Sequence, residues 1–372
     1  LNLPNNAALD DLELGAWLHL LHSVGRGAAR RLLALFGGPQ AVLGATAAQR
    51  HAVVDATDAA ALSSTPEGHA ERLATTLAWR SAAPARRVMV LGDTDYPPWL
   101  LHIADPPLLL YLQGRAELLT ATSLAIVGSR QPSAQGLDNA RSFARTLSQQ
   151  GWTIVSGLAA GIDGAAHEGA LAGHASTVAV VGTGIDRVYP LSNRVLAQRI
   201  AERGLIVSEL ALGTPPLAAN FPQRNRLIAG LSRGTLVVEA ALRSGSLITA
   251  RLAAEAGREV MAVPGSVLAP QSRGCHALIR QGAVLVESPE QVLEELNGLS
   301  ALADASPAPV PIEPLPEDAV LRALGHDPQS IDGLIDRCGW PAPALTAHLL
   351  RLELEGRVAR LPGGLYQRRQ TA

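Results

Sequence analysis

Lysine is absent: the 372-residue chain has 31 Lys+Arg positions and each is an arginine. That excludes a P-loop lysine, a Schiff-base lysine and a kinase-type lysine. A base composition favouring arginine codons is sufficient cause. Cysteine is nearly absent as well. Cys275 and Cys338 lie far apart, with no CxxC spacing, so neither a disulfide framework nor a cysteine zinc site is expected. His167 and His174 are seven apart with no third ligand at metal spacing, so no metal is expected, and no cofactor either. The dinucleotide fingerprint is missing, because "GTGIDR" carries Arg187 where its third glycine belongs. "GLSRG" (230–234) matches a nucleophile elbow, but it precedes its strand instead of following it, which argues against Ser232 as a nucleophile. No window of about 20 residues is apolar enough to span a bilayer. The opening "LNLPNNAALDD" lacks a basic region before an apolar core and does not read as a signal peptide. A cytoplasmic protein without a membrane partner is the expectation.

What remains is a globular composition, 47% hydrophobic and 17% charged, with a net charge of −2. That balance makes no global case for a polyanionic partner, so any such case rests on local arrangement. The length exceeds what one core usually serves. Residues 1–84 read as a small helical domain: "LELGAWLHLL" and "AARRLLALFGG" carry helical spacing, and Gly25-x-Gly27 resembles a helix-hairpin-helix turn. A plain turn between two helices fits the same residues. Residues 85–300 hold nine short apolar runs, from "VMVLG" to "AVLVES", separated in several places by helical stretches. Runs that are continuous and not alternating suit strands covered on both faces, so a doubly wound, mostly parallel α/β sheet of extended Rossmann type is expected. Residues 301–316 are a Pro/Ala-rich linker, and 317–372 read as helices followed by a hairpin, a winged helix.

Ligands of doubly wound sheets bind at the carboxyl ends of the strands, near a topological switch point. Several predicted strand ends here are built of small residues: Gly128-Ser129-Arg130, the stretch from Ser156 through Gly157 to Gly161, and Arg243-Ser244-Gly245. Small residues let backbone amides approach an anion, and a following helix start favours negative charge. Arg130, Arg224, Arg226 and Arg243 fall at or near these ends, so one basic, glycine-lined groove is expected along this edge. The competing reading has the glycines serving tight turns and the arginines pairing with Asp163, Asp186, Glu209 and Glu239.

"VGSR", "SGLAAGIDGAAHEGAL", "VVGTGIDRVYPLSN", "FPQRNRLIAGLS", "VVEAALRSGSLITARLAAEAGREVMAVPG" and "GCHALIRQGA" together resemble the DNA-processing protein DprA/Smf family, with the motifs in family order through most of residues 88–300. The resemblance implies no enzymatic activity. It implies a homodimer that binds and protects incoming single-stranded DNA and loads the recombinase RecA during natural transformation. Carried over by motif, the DNA-binding candidates are Gly128, Ser129, Arg130, Arg224, Asn225 and Arg226; the edge reading adds Gly157, Gly161, Arg243, Ser244 and Gly245. The segments 258–265 and 276–286 offer an apolar dimer surface. Leu191 and Gln223 stand where some relatives carry lysine, and His276 where asparagine is common, so the charge must come from arginine. Two other readings are weighed. One is a Lonely-guy-like nucleotide phosphoribohydrolase, for which Gly234, Thr235 and Glu239 match imperfectly. The other is a nucleotide-sensing winged-helix regulator.

Overall fold

The structure is a computed structural model that describes residues 9–297, 318–325, 327–361 and 364–369. The expected linker at 301–316 lies outside the described residues. All nine apolar runs are strands of one 9-stranded sheet: β1 (Arg86–Val90), β2 (Leu109–Gly114), β3 (Ser123–Val127), β4 (Thr153–Ser156), β5 (Thr177–Val180), β6 (Leu205–Ser208), β7 (Gly234–Val237), β8 (Glu259–Ala262) and β9 (Val284–Leu285). Their order is β1-β2-β6-β5-β4-β3-β7-β8-β9. β1 and β2 are antiparallel additions, and β6 through β9 run parallel. The chain winds outward from β3 to β6, then returns to place β7 on the other side of β3. The topological switch point therefore lies between the carboxyl ends of β3 and β7.

Both faces are covered, which is why the strands read as unbroken apolar runs. Leu124 and Ile126 of β3 pack with Ala140, Phe143 and Leu147 of one following helix, while Ala125 and Val127 join Leu227 and Ile228 on the opposite face.

Ahead of the sheet lie six helices, α1 (Asp11–Ser23), α2 (Arg26–Phe36), α3 (Pro39–Gly44), α4 (Ala47–His51), α5 (Ala56–Ala61) and α6 (His69–Ser81). Their core is continuous with the sheet: Trp17, Leu32 and Trp79 belong to one hydrophobic cluster with Val88, Tyr111 and Ile206. Trp79 meets Tyr111 edge-on at 5.7 Å. The division expected at residue 84 therefore crosses a packed interface, and cutting there would uncover β1 and β2.

Within and after the sheet come α7 (Ala134–Gln149), α8 (Ile162–Ala170), α9 (Arg194–Arg203), α10 (Asn220–Leu231), α11 (Ser246–Glu255), α12 (Arg273–Arg280) and α13 (Pro289–Asn297). The carboxyl-terminal segment folds as α14 (Ala319–Leu324), β10 (Gln329–Ser330), α15 (Ile331–Cys338), α16 (Ala342–Leu354), β11 (Val358–Leu361) and β12 (Leu365–Arg368) around its own core of Val320, Leu334, Leu349 and Tyr366. This is the expected winged helix. Its last strand turns back onto α7. Gln367 Nε2 donates to Gln135 Oε1 at 2.7 Å, and the Arg369 fork grips both Asp138 oxygens at 2.9 Å.

Candidate nucleic-acid interface

The carboxyl edge divides into an interior and a rim. Arg224 belongs to the interior. It opens the second turn of α10 and is 6% exposed. Its guanidinium donates to the carbonyls of Gly157 (2.6 Å) and Val180, at the ends of β4 and β5. Burial lowers its pKa to about 10, with Asp163 pulling the other way, so it stays charged at neutral pH. The expectation that Arg224 faces a polyanion is corrected here: a cation spent on two buried carbonyls braces the strand ends and has no face toward solvent. The reason Gly157 is glycine follows, since a Cβ there would lie 2.6 Å from the guanidinium.

Arg226 is corrected as well. Its fork meets both Glu209 oxygens (2.6 and 2.7 Å) and Asp105 (3.0 Å), and its side chain is 11% exposed. The competing reading named Glu209 as an internal partner, and for Arg226 that reading holds. Asn225, between the two, accepts from Arg224 Nε (3.3 Å) and donates to the Gly245 carbonyl (3.4 Å), tying α10 to the start of α11.

Beneath Arg224 lies a fully determined polar cluster. Asp163 accepts from the amides of Gly157 (3.1 Å) and Ala159 (3.3 Å). Burial pushes its pKa up against the opposing pull of Arg224 and those amides. His167 Nε2 accepts from the Leu158 amide (3.3 Å), and its Nδ1 donates to Thr177 Oγ1 (2.7 Å), whose own proton goes to the Ile154 carbonyl (2.6 Å). This arrangement requires a neutral imidazole, and burial together with Arg224 drives its pKa down to about 3.

The loop after β3 is also more closed than the sequence implies. The Ser129 amide donates to the Glu239 carbonyl (2.7 Å), and its carbonyl accepts from Ile162 (3.1 Å), so Ser129 has no amide left for a phosphate. Gly161 sits at φ +83°, and a Cβ there would lie 2.3 Å from the Ser129 oxygen. Gly128 is likewise hemmed in by Ile162 and the Glu239 carbonyl. Ser133 caps α7 as expected, donating its side chain to Glu239 while accepting from Gly136 (3.0 Å), and its amide donates to Glu239 (2.9 Å). The anion favoured by the α7 dipole is thus an internal carboxylate, which corrects the expectation that this helix start awaits a ligand.

The rim is different. Arg130 is exposed and has no carboxylate partner among the described residues; its guanidinium lies 5.5 Å from the Phe221 ring centroid. Phe221 in turn meets Tyr189 at 5.6 Å, and Tyr189 is half exposed. Arg243 is exposed at the end of the β7 loop, followed by Ser244 and Gly245, which open α11. Arg187 and Arg194, which flank Tyr189 in sequence, are exposed and, like Arg243, form no ion pair among the described residues. In a chain only 3% aromatic, a Phe–Tyr pair against a free arginine is a specific arrangement. Phe221 and Tyr189 were not among the expected site residues, although their signal was present: each opens a proline dipeptide, "FP" and "YP", inside a motif already singled out.

The other half of the edge, toward β8 and β9, is roofed by the winged helix. The cleft between them, about 690 Å³, presents Glu239, Glu287 and Asp327 and, among the described residues, no arginine. Among its described residues, that cleft therefore offers a polyanion no attractive charge.

The profile of the family described as DNA recombination-mediator protein A matches residues 87–297, and that of its winged-helix domain matches residues 304–364. The chain belongs to the DNA recombination-mediator protein A family. Protein Smf of Escherichia coli strain K12 is 46% identical over 291 residues, which cover 76% of this chain and 78% of that one. The solved structure of DNA processing protein A from Streptococcus pneumoniae shares the fold with a TM-score of 0.67 at 36% identity, covering 78% of this chain and 99% of its own. A second family member, from Helicobacter pylori, was solved to describe its single-stranded DNA binding mode. It matches with a TM-score of 0.52 at 32% identity, over 56% of this chain and 95% of its own. Within this family frame, the "FPQRNR" motif serves two sides of the first half of one helix: Phe221 faces the rim, and Arg224 and Arg226 face inward.

Proposed function

We propose that the protein binds single-stranded DNA along the rim formed by Arg130, Arg187, Arg194 and Arg243, with bases stacking at Phe221 and Tyr189. The observation that carries this reading is the free Arg130 guanidinium set against an aromatic pair at the open half of the edge. Arginine forks suit phosphate oxygens, and aromatic faces take any base, so binding is expected to be strong and indifferent to sequence. The single-stranded DNA binding mode described for the Helicobacter pylori relative supports it. Gly128, Ser129, Gly157, Gly161, Arg224, Asn225 and Arg226 enter the site as the frame behind the rim; Ser244 and Gly245 remain direct candidates beside Arg243.

For the finer role we infer, from the resemblance to the family, a cytoplasmic homodimer, without catalysis of its own, that protects incoming DNA and loads RecA on it. The short edge strand β9, with Leu285 exposed, supports a dimer contact at 276–286. Gel shifts with single- and double-stranded oligonucleotides across a salt series test the central claim. If the rim neutralises about five phosphates, the log–log salt slope is roughly −3 to −4. Equal affinity for duplex, or a flat salt response, overturns it.

A further inference from the structure

The amino-terminal bundle is joined to the core by charge as well as by packing. Arg26 and Arg30, half-buried on α2, reach across to two acids of the core. Arg26 pairs with Asp105 (3.1 Å) and Glu209 (3.1 Å), and Arg30 pairs with Asp105. Both acids are also the partners of Arg226 (3.0 and 2.6 Å). The five groups form one network, three cations against two anions, net +1.

The network lies directly behind the rim. Glu209 follows the last residue of β6 at the carboxyl edge, and it lines one small crevice with Asn220, Gln223 and Arg224 of α10. Arg226 is two residues from Arg224 on a helix that begins with Phe221 near its start. The inner members are well covered, with side chains 11% (Arg226) and 12% (Glu209) exposed. Burial acts to raise the Asp105 pKa, but Arg226, Arg30 and Arg26 outweigh it and hold the carboxyl below its usual range. Remove the two arginines of α2 and the balance reverses: Arg226 alone faces Asp105 and Glu209, net −1, against the helix that carries the stacking ring.

We infer that Arg26 and Arg30 are positioning residues of the DNA site, through which the amino-terminal bundle neutralises the acids behind α10 and holds that helix against the rim. The inference rests on the rim reading above. It gives the bundle a part in binding without any contact to DNA, through the first residue of α2, Arg26, whose Nη1 donates to Glu209 at 3.1 Å.

Single-strand affinity of the full-length protein tests it, read per folded molecule with thermal stability on the same preparations. Arg26→Gln/Arg30→Gln is expected to weaken binding about three- to tenfold at low salt, with the deficit shrinking as salt screens the two acids. Adding Asp105→Asn leaves the Arg226–Glu209 pair intact and brings the network from net −1 to net 0, so most of the lost affinity is expected to come back without recovery of melting temperature. Arg130→Ala serves as the reference. If it weakens binding while the double variant does not, or if Asp105→Asn fails to restore what the double variant lost, the inference is overturned and the rim stands. If Arg130→Ala itself has no effect, the rim reading fails first. Should the double variant not fold, Arg26→Gln alone, at the more exposed of the two arginines, carries the same test with a smaller expected loss.

Discussion

Arg224 and Arg130 are the same residue type, both assigned to one groove by sequence motif, and they do opposite work. Arg224 is enclosed by the carbonyls of Gly157 and Val180 and holds two strand ends together. Among the described residues, Arg130 has an aromatic ring as its side-chain partner and leaves its donors to solvent. The first braces the edge; on the reading proposed above, the second uses that shape to hold a ligand. Guanidinium serves both because it never sheds its charge at neutral pH and has five donors to place. What decides the role is whether protein acceptors reach the donors first.

The sharpest way to break this comparison is Arg224→Ala. It leaves two buried carbonyls unpaired and the Asp163 carboxylate without its nearby cation. The expected cost is about 3–5 kcal/mol of stability, seen as a fall in melting temperature of roughly 10 °C. Single-strand affinity per folded molecule is expected to change little. A large loss of affinity with unchanged melting would put Arg224 on the rim and contradict the geometry.

Arg130→Ala is the mirror experiment. A charged hydrogen bond to phosphate is worth about 1.5–3 kcal/mol, so affinity is expected to fall on the order of ten- to a hundredfold. Melting is expected to stay nearly constant, because no buried group loses a partner. If Arg130 held an internal carboxylate in solution, the two readouts would exchange places.

Phe221→Ala separates stacking from charge within the rim. Base–aromatic stacking contributes about 1–3 kcal/mol per base. Affinity is therefore expected to drop by roughly fivefold or more, with the salt slope intact, whereas Arg130→Ala is expected to flatten the slope by about one contact. A Phe221→Ala variant with wild-type affinity would remove the aromatic pair from the site.

How much of this was legible in the sequence depends on the range of the interaction. The nine strands were legible, because a strand buried on both faces must be apolar at every position. The Ser133 cap was legible, because capping acts over three residues. The winged helix followed from the order of its elements. The division of labour among the arginines was not. Arg224 finds its acceptors 67 and 44 residues away, and Arg226 shares Asp105, 121 residues away, with α2 of the bundle. Nothing local marks such partners. The same limit hid the closure of the α7 start, where Glu239 arrives from β7, on the far side of the switch point. The carboxylates offered as internal partners divided in the same way: Glu209 pairs with arginine, whereas Asp186 accepts from the Gly213 amide (2.9 and 3.1 Å).

Acid offers the mildest test, and it acts on one side of the comparison only. His167 is buried beneath Arg224 as a neutral ring, with its pKa lowered to about 3. The unfolded chain takes up that proton near the ordinary histidine value of about 6.5, while the folded chain refuses it. A lowered histidine pKa therefore leaves stability untouched above about pH 6.5 and erodes it as the pH falls below that value. Between pH 7.5 and 5.5 the loss from this one ring is about 1.4 kcal/mol. Single-strand affinity per folded molecule is expected to stay level while the melting temperature declines. His167→Gln keeps an acceptor for the Leu158 amide but has no proton to gain. It is expected to melt lower than wild type at pH 7.5 and to show a shallower decline toward pH 5.5. Parallel declines in the two proteins would mean that His167 is already open to solvent, and the interior of the edge would then be looser than its hydrogen bonds describe.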